Sequence, residues 1–223
     1  GADILEIIDH HRIGSLETMS PVFFRNQPLG CTGTIIYQMY REQGVEIDRT
    51  TAGLLCSAIL SDTLMYRSPT CTPLDRMAAE ELAGIAGINA EEHAREMFQA
   101  GSDFGSRTPE EIFYQDFKTF SQNGVDFGVG QISAMTQDEL DQVKEKLLPY
   151  LKQAMAERKI SMVFVMLTNI VEETTYLICD GEDADRIVEK AYHIHKENDY
   201  HVLKGVVSRK KQLVPTLVGA LQQ

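Results

Sequence analysis

The sequence lacks the features that would assign it to a specialised class of protein. It contains no tryptophan and only four cysteines, Cys31, Cys56, Cys71 and Cys179, none of them in a CxxC pair. This spacing predicts reduced thiols in a cytoplasmic protein, because zinc knuckles and disulfide frameworks need closely spaced cysteines. The longest apolar run, residues 162–167, is far shorter than the roughly 20 residues of a membrane-spanning helix. We therefore expect no membrane association.

Positive charge is scarce as well. Lysine and arginine total 21 against 33 aspartate and glutamate residues, which gives a net charge of −12. We expect no nucleic-acid partner, since binding to long nucleic acid relies on an excess of basic residues. Any phosphate-binding site must then be a local cluster. The chain opens at Gly1 without a methionine, and this start predicts a fragment or a processed segment.

What the sequence does have is the composition and patterning of a folded α/β protein. Its hydrophobic fraction is 43% and its charged fraction 24%, as in ordinary globular chains, and its length suffices for two domains. The apolar segment Ile4–Ile8 predicts a strand buried in a parallel sheet. The predicted helices of the first half run from about Ile35 to Glu42, Asp48 to Arg67, Pro73 to Ala86 and Ala90 to Phe98.

The periodic pattern lapses near residues 101–106, where we predict a link between two domains. Thr108-Pro109-Glu110-Glu111 follows as a capping box, so we expect a new helix that carries Phe113, Phe117 and Lys118. Strand and helix patterns then alternate, which predicts an α/β or α+β second domain. The predicted strands are 127–135, 162–169, 176–179 and 200–207, and the predicted helices are 138–158 with a kink at Pro149, 183–192 and 213–221.

Asp9-His10-His11 stands directly after the first predicted strand. Carboxylate oxygen and imidazole nitrogen suit manganese, iron, cobalt or zinc, although the same residues also suit a hydrogen-bonded turn. Asp62 adds context, because it falls on the apolar face of its predicted helix. A carboxylate there needs a metal ion or a salt bridge to a neighbouring arginine. The pattern alone leaves both interpretations open.

Arg209-Lys210-Lys211 forms a basic cluster just before a predicted helix in this acidic chain. Arginine offers a planar fork to phosphate oxygens and lysine a mobile charge, while the first turn of a helix adds unpaired N–H groups. The same run also fits a solvated loop. Lys118, taken alone, is one exposed lysine among many.

Several stretches resemble the DHH phosphoesterases and, within them, the family II inorganic pyrophosphatases. The resemblance follows the family's order over nearly the whole chain, and its last stretch is the most specific. The stretches are Ile8–Ile13, Pro28–Thr32, Ser57–Asp62, Ser68–Thr72 and Lys204–Gln212.

The resemblance implies an α/β fold of two domains. The first is a parallel-sheet DHH domain, incomplete at its N-terminus, over residues 1–102. A linker at about 101–107 precedes a smaller α/β DHH-associated domain with a mixed sheet over residues 107–223. The active site is expected in the cleft between the domains, and a homodimer is expected to form through the DHH domain.

The resemblance also implies roles for the residues of the first domain. His10 is similar to a ligand of a dinuclear metal site, and Asp62 to the carboxylate that bridges both metals. His11 is similar to a substrate contact that donates a proton to the leaving phosphate. Asp9 is expected to hold His10 and His11 in place without binding the metal itself. The implied cofactors are two or more Mn²⁺ or Co²⁺ ions, with Mg²⁺ accompanying the substrate.

In the second domain, Lys118, Arg209 and Lys210 are similar to residues that bind the phosphates. The implied reaction is hydrolysis of pyrophosphate to two phosphates by a hydroxide that bridges the metals. The family's other metal ligands, a histidine and several aspartates, lie upstream of the DHH strand and have no match here. We therefore expect this chain alone to be a poor hydrolase, because each ion needs several ligands.

Two accounts of the missing ligands are a truncated chain and a parent in which regulatory CBS modules interrupt the catalytic domain. Two other functions remain open. One is a DHH-family exopolyphosphatase or phosphodiesterase, which would share the metal site but differ in its C-terminal domain. The other is a non-catalytic fragment that binds phosphate without metal.

Overall fold

The computed structural model describes residues 3–14, 17–101 and 104–222. It confirms an α/β protein, and the chain divides into two compact parts, unit 1 (Gly1–Met97) and unit 2 (Phe98–Gln223). The linker predicted at residues 101–107 stays a prediction. Gly101 still belongs to a helix, while Ser102 and Asp103, like the first two residues, lie outside the described part of the chain.

Unit 1 contains a small parallel sheet. Strand β1 (Glu6–Asp9) pairs with strand β2 (Phe23–Asn26), and Asp9 lies opposite Asn26. The parallel pairing agrees with the sequence prediction, but the predicted burial is wrong for the described residues, because Leu5 is 76% exposed. Within residues 3–14 and 17–101 the sheet has only these two strands, and Ile7 and Ile8 are only half-buried, whereas strands of larger parallel sheets are usually covered on both faces.

Helices make up the rest of unit 1 in its described part. Asp48 starts one of them by accepting hydrogen bonds from the N–H groups of Thr50 and Thr51 at 2.9 and 3.0 Å. Thr72 and Asp75 start another with a reciprocal capping box. The helices are α1 (Thr32–Gln43), α2 (Arg49–Asp62), α3 (Pro73–Ala86) and α4 (Ala90–Gly101), and the part of α4 from Phe98 onward belongs to unit 2.

Helix α2 ends at Asp62 and not at Arg67 as the sequence predicts. Leu64, Met65 and Tyr66 follow with φ angles of 50°, 53° and 67°, a left-handed turn that costs L-residues about 1–2 kcal/mol each. Asp62 therefore lies at the exposed end of the helix. The expectation that it belongs to a buried face is wrong, because that expectation extended the helical period past the point where the helix stops.

Unit 2 is built on a mixed five-stranded sheet in the order β3-β4-β5-β6-β7. Only β4 and β5 run parallel, and the other neighbours are antiparallel. Two helices connect the parallel pair, as a crossover between parallel strands requires. The strands are β3 (Phe117–Gln122), β4 (Val125–Ala134), β5 (Met162–Asn169), β6 (Thr174–Gly181) and β7 (His201–Lys204).

The sheet of unit 2 is covered on both faces. Every residue of β5 is buried, and successive side chains of this strand enter the two cores alternately, with Val163 and Val165 on one face and Phe164 and Met166 on the other. Helices α5 (Pro109–Phe113), α6 (Gln137–Leu147) and α7 (Leu151–Arg158) cover the first face, and α8 (Ala184–Tyr192) and α9 (Val214–Leu221) cover the second.

Two predictions for unit 2 need correction. The helix expected to carry Phe117 and Lys118 ends at Phe113, and Lys118 lies on edge strand β3. Pro149 does not kink one long helix but lies in the break between α6 and α7, since proline cannot supply the N–H that continues a helix. Among the described residues, no helix combines the length and hydrophobicity needed to cross a bilayer.

Candidate functional site

Asp9 organises the turn that follows strand β1. Its Oδ1 accepts hydrogen bonds from the backbone N–H groups of His10 and His11 at 2.7 and 3.2 Å, and lies 2.7 Å from His11 Nδ1. Burial raises the pKa of Asp9, but the hydrogen bonds from the His11 ring and from both backbone N–H groups lower it more, so the net shift is downward. The ionised carboxylate therefore holds the two histidines in place.

Each of these imidazoles uses its inner nitrogen to hold the ring. Carboxylate and carbonyl oxygens only accept hydrogen bonds, so His11 Nδ1 donates to Asp9, and His10 Nδ1 donates to the Leu29 carbonyl at 3.1 Å. The outer nitrogen, Nε2, is then free to bind a metal ion or to exchange a proton. One ligand atom from each of Asp9, His10 and His11 lies within 4.8 Å of the others.

The loop Pro28–Cys31 links this turn to Asp62. Its Leu29 carbonyl accepts a hydrogen bond from His10. Burial, followed by the nearby Asp62 carboxylate, raises the pKa of its Cys31 thiol to about 12, so the thiol stays protonated. One short loop thus holds His10 and lies near Asp62. We call Asp9, His10, His11 and Asp62 the carboxylate–imidazole group.

Asp75 fixes that loop and was missed by the sequence analysis. It is fully buried, and its carboxylate accepts hydrogen bonds from the Gly30 N–H at 2.9 Å and from the Thr34 and Thr72 hydroxyls at 2.6 Å each. Burial raises the pKa of Asp75, but these hydrogen bonds lower it more, and the net shift is downward. Its place in a Thr-Pro-x-Asp capping box is readable from the sequence, but its contact with a loop 45 residues away is not.

Unit 2 anchors Arg209 inside the protein. The Arg209 side chain is only 9% exposed. Its Nη1 donates to the backbone carbonyls of Asp116 at 2.8 Å and Val129 at 3.3 Å, and its Nη2 donates to Asp116 Oδ1 at 2.7 Å. The predicted phosphate ligand is thus a buried arginine that the sheet holds in one orientation.

Lys118 is connected to this arginine through strand β4. It pairs across the sheet with Val129, whose carbonyl accepts a hydrogen bond from Arg209. Lys210 follows Arg209 along the chain and is exposed, as is Lys118. The structure therefore links the backbones of the two segments that the sequence analysis singled out. We call Lys118, Arg209 and Lys210 the cationic group.

Two glutamines hold the backbone of the cationic group. Gln131 accepts a hydrogen bond from the Arg209 N–H at 3.3 Å and donates to the Val207 carbonyl at 3.0 Å. Gln212 accepts from the N–H groups of Val207 and Ser208 at 2.9 and 3.0 Å. Arg209–Leu213 form a short π-helical turn that leads into α9. Gln212, the last residue of the Ser-Arg-Lys-Lys-Gln stretch, therefore fixes the backbone at Ser208, its first residue.

A second set of metal-ligand types, Cys179, Asp185 and His201, also lies within 4.8 Å in unit 2. Here Cys179 Sγ and His201 Nε2 both approach Asp185 Oδ1, at 3.1 and 2.8 Å, and Lys196 Nζ lies 3.0 Å from Asp185 Oδ2. The lysine supplies the positive charge that a metal ion would otherwise provide. We assign this cluster to the fold of unit 2.

Family models match both parts of the chain. The model of the DHH family, N-terminal domain, matches residues 1–59, and that of the DHHA2 domain matches residues 95–220. The chain therefore combines a DHH segment with a DHHA2 domain.

Similar proteins with assigned names show which DHH proteins this chain resembles. The chain is 40% identical over 220 residues to the manganese-dependent inorganic pyrophosphatase of Bacillus subtilis, covering 99% of this chain and 71% of that protein. It is 42% identical over 223 residues to the enzyme of the same name from Methanothrix thermoacetophila, covering 100% and 72%. It is 43% identical over 216 residues to the cobalt-dependent inorganic pyrophosphatase of Clostridium perfringens, covering 97% of this chain but only 39% of that protein.

A solved structure agrees with these relatives. The crystal structure of a Methanococcus jannaschii protein assigned to the family II inorganic pyrophosphatases superposes with a TM-score of 0.84 at 36% identity. The superposition covers 99% of this chain and 74% of the Methanococcus jannaschii chain. The chain belongs to the DHH-type, family II inorganic pyrophosphatases.

Proposed function

We propose that this chain contributes most of a metal-dependent inorganic pyrophosphatase, in which unit 1 holds divalent ions and unit 2 binds the phosphates. The observation that carries the proposal is the chemistry of the two groups. Unit 1 offers carboxylate oxygens and outward imidazole nitrogens, whereas unit 2 offers an anchored arginine and two exposed lysines. The relatives named as manganese- and cobalt-dependent pyrophosphatases support the same assignment.

The residues of unit 1 fit Mn²⁺ or Co²⁺. His10 donates through Nδ1 to a backbone carbonyl, and such an outer hydrogen bond orients the opposite nitrogen toward a metal ion. Asp62 is exposed, and its carboxylate would also hold the divalent ions. When bound, two such ions supply Lewis-acid activation of a water and of the phosphoryl oxygens.

His11 has a different role in the proposal. Its Nδ1 is held by Asp9, which leaves Nε2 as the atom that contacts the substrate. With its ring oriented by Asp9, His11 is the residue that donates a proton from Nε2 to the leaving phosphate in this proposal. Asp9 acts through His10 and His11, because its Oδ1 accepts hydrogen bonds from both residues.

The cationic group binds the phosphates in unit 2. Charge accumulates on the oxygens of the transferring phosphoryl and of the leaving phosphate, and positioned cations lower the free energy of that transition state. The Arg209 guanidinium supplies oriented N–H groups, whereas Lys118 and Lys210 supply mobile charge. Mg²⁺ accompanies the substrate in this proposal.

The described residues of unit 1 supply few ligands for two ions, each of which needs four or more. We therefore propose that residues 1–223 alone hydrolyse pyrophosphate slowly. The test compares this chain with a fusion protein, defined as the part of the Bacillus subtilis relative that precedes the matched region joined to residues 1–223. Phosphate release from pyrophosphate with Mn²⁺ is measured for both, with the intact relative as the positive control.

We expect turnover by the fusion protein and little by the chain alone. A folded fusion protein without activity would contradict the proposed function, whereas steady turnover by residues 1–223 would contradict only the ligand argument. A short polyphosphate and a dinucleotide, tested in parallel, distinguish an exopolyphosphatase or a phosphodiesterase from a pyrophosphatase. Imidodiphosphate binding that needs no metal, together with an inactive fusion protein, would indicate a non-catalytic phosphate-binding protein.

Unit 1 is also the proposed site of a homodimer. All but one of the large exposed hydrophobic side chains among the described residues lie in unit 1, and Phe23 and Phe24 on strand β2 are 49% and 44% exposed. Sedimentation of the fusion protein tests the dimer, and a monomer would contradict it. The cytoplasmic location stays a prediction from the sequence.

A further inference from the structure

We propose that Asp116 is a positioning residue for phosphate binding, and that it orients Arg209 toward the substrate instead of competing with the substrate for it. This inference rests on the proposed function of the cationic group. It concerns a residue that neither the motif nor the relatives single out. The observation behind it is that Asp116 accepts hydrogen bonds from both terminal nitrogens of Arg209 and none from Nε.

Asp116 binds the guanidinium twice. Its backbone carbonyl accepts from Nη1 and its Oδ1 accepts from Nη2, at 2.8 and 2.7 Å. The Val129 carbonyl accepts a further hydrogen bond from Nη1 at 3.3 Å. These bonds all fall on the two terminal nitrogens, so the guanidinium cannot rotate about its own axis without breaking a charge-assisted hydrogen bond.

Two donors of Arg209 are left over. A guanidinium has five N–H donors, and the three bonds above leave the Nε–H and one N–H of Nη2 unused. Within residues 104–222, Nε is not among the buried polar atoms that lack a partner, so the Nε–H meets solvent. The Nε edge carries the geometry for two parallel hydrogen bonds to phosphate oxygens. Asp116 thus binds the two terminal nitrogens of the guanidinium and leaves the Nε edge accessible to a phosphate.

The position of Asp116 suits this role. It directly precedes strand β3, and its backbone carbonyl also accepts the N–H of Gln131 on the neighbouring strand at 3.0 Å. The Asp116 backbone is therefore fixed by the sheet while 48% of its side chain is exposed. Lys118 stands two residues further along the same edge, so the lysine and the anchored arginine share one scaffold.

Positioning and simple electrostatics predict opposite results for the same substitution. Asp116→Asn keeps the size of the side chain and removes one negative charge beside the cationic group. Electrostatics alone then predicts tighter binding of an anion, because the local positive potential rises. Positioning predicts weaker binding, because the amide holds the guanidinium less firmly. We expect the Kd for imidodiphosphate to rise about tenfold, as for the loss of one charge-assisted hydrogen bond.

The test measures imidodiphosphate binding by residues 1–223 with Mg²⁺, using calorimetry. The matched control is Asp126→Asn, which removes a charge from an exposed carboxylate of strand β4 in the same unit. A second experiment measures the effect of Asp116→Asn on imidodiphosphate binding in an Arg209→Lys variant. Because lysine has no fork to orient, Asp116→Asn should have little further effect there.

The Nε–H signal of Arg209 gives a direct readout by NMR. It should shift when imidodiphosphate binds to the unmodified chain, and Asp116→Asn should reduce that shift while the thermal midpoint stays close to that of the control. Equal or tighter binding by Asp116→Asn would overturn the positioning role. An equal effect of Asp116→Asn in the Arg209→Lys background would also overturn it. If the unmodified chain does not bind imidodiphosphate, the proposed function of the cationic group fails instead.

Discussion

The two units place their functional charges in opposite surroundings. In unit 2, the arginine is 9% exposed and is held by backbone carbonyls of a five-stranded sheet. In unit 1, His11 and Asp9 have 51% and 38% of their side chains exposed and follow a sheet of only two described strands. The proposed phosphate-binding cation is therefore preorganised by its own unit, whereas the proposed metal ligands are oriented singly and need further ligands to enclose an ion.

The difference follows from what each group has to do. A guanidinium presents several donors from one side chain, so a single anchored residue can form a binding site. A divalent ion takes four to six ligands, which one loop and one helix end cannot supply. If this account is right, substitutions in unit 1 change metal binding and turnover, whereas substitutions in unit 2 change substrate binding and, for Arg209, stability.

The largest effect is expected for Asp62→Asn in the fusion protein. An amide cannot bridge two ions as a carboxylate does, and losing several kcal/mol of transition-state stabilisation lowers kcat about 1000-fold. Steady-state kinetics with Mn²⁺ measure it, together with imidodiphosphate binding, which the cationic group should largely retain. Glu145→Gln, a change at an exposed carboxylate of helix α6, is the matched control. A loss of less than tenfold would contradict the bridging role.

The next largest effect is expected for Arg209→Ala, this time on stability. The substitution leaves the carbonyls of Asp116 and Val129 without this donor and should lower the free energy of unfolding of unit 2 by about 3 kcal/mol. Lys210→Ala is the matched comparison, since this exposed side chain should change stability by less than about 0.5 kcal/mol. Urea unfolding followed by circular dichroism measures both. Similar losses for the two variants would show that the arginine is not an anchored residue.

The sequence could predict much of the fold because its periodic segments are long. The strand at 162–169 and helix α3 have the predicted bounds, since one begins with the longest apolar run of the chain and the other has a proline start and a glycine stop. Strand β3 could not be predicted, because Phe113, Phe117 and Phe120 also fit a helical period. Its hairpin partner, strand β4, selects the extended form instead.

The roles of the site residues stay predictions, and the burial of these residues could not be predicted from the sequence. Resemblance pointed to Asp62 and Arg209, but the expected burial was reversed, since the aspartate is exposed and the arginine is buried. Burial depends on which distant segments pack together, and local patterns do not encode that. Asp75 and Asp116 were missed for the same reason, because their partners lie 45 and 93 residues away.

A smaller effect is expected from Gly30→Ala, which tests the loop of unit 1. A Cβ at Gly30 would lie 2.8 Å from Thr63 Cγ2 and 2.9 Å from Asp75 Oδ2, so the loop must shift at a cost of about 2 kcal/mol. Gly84→Ala is the matched control, because nothing lies within 4 Å of its Cβ and alanine favours the helix by up to about 1 kcal/mol. Thermal unfolding and Mn²⁺ affinity measure the pair. Equal stability of the two variants would contradict the close packing of the loop.

The smallest effect is expected from the pH dependence of the Asp9 turn. The folded protein holds the pKa of Asp9 below its ordinary value, so the stabilisation is present above about pH 4 and is lost as the pH falls through the lowered pKa. The difference in unfolding free energy between the unmodified chain and Asp9→Asn should therefore be constant from about pH 7 to 5 and should shrink below about pH 4. Because the carboxylate is partly exposed, solvent screening keeps this difference small. The His11→Ala background should reduce it further, since the ring donates the side-chain hydrogen bond. A difference that grows as the pH falls would show that Asp9 does not stabilise the turn in its ionised form.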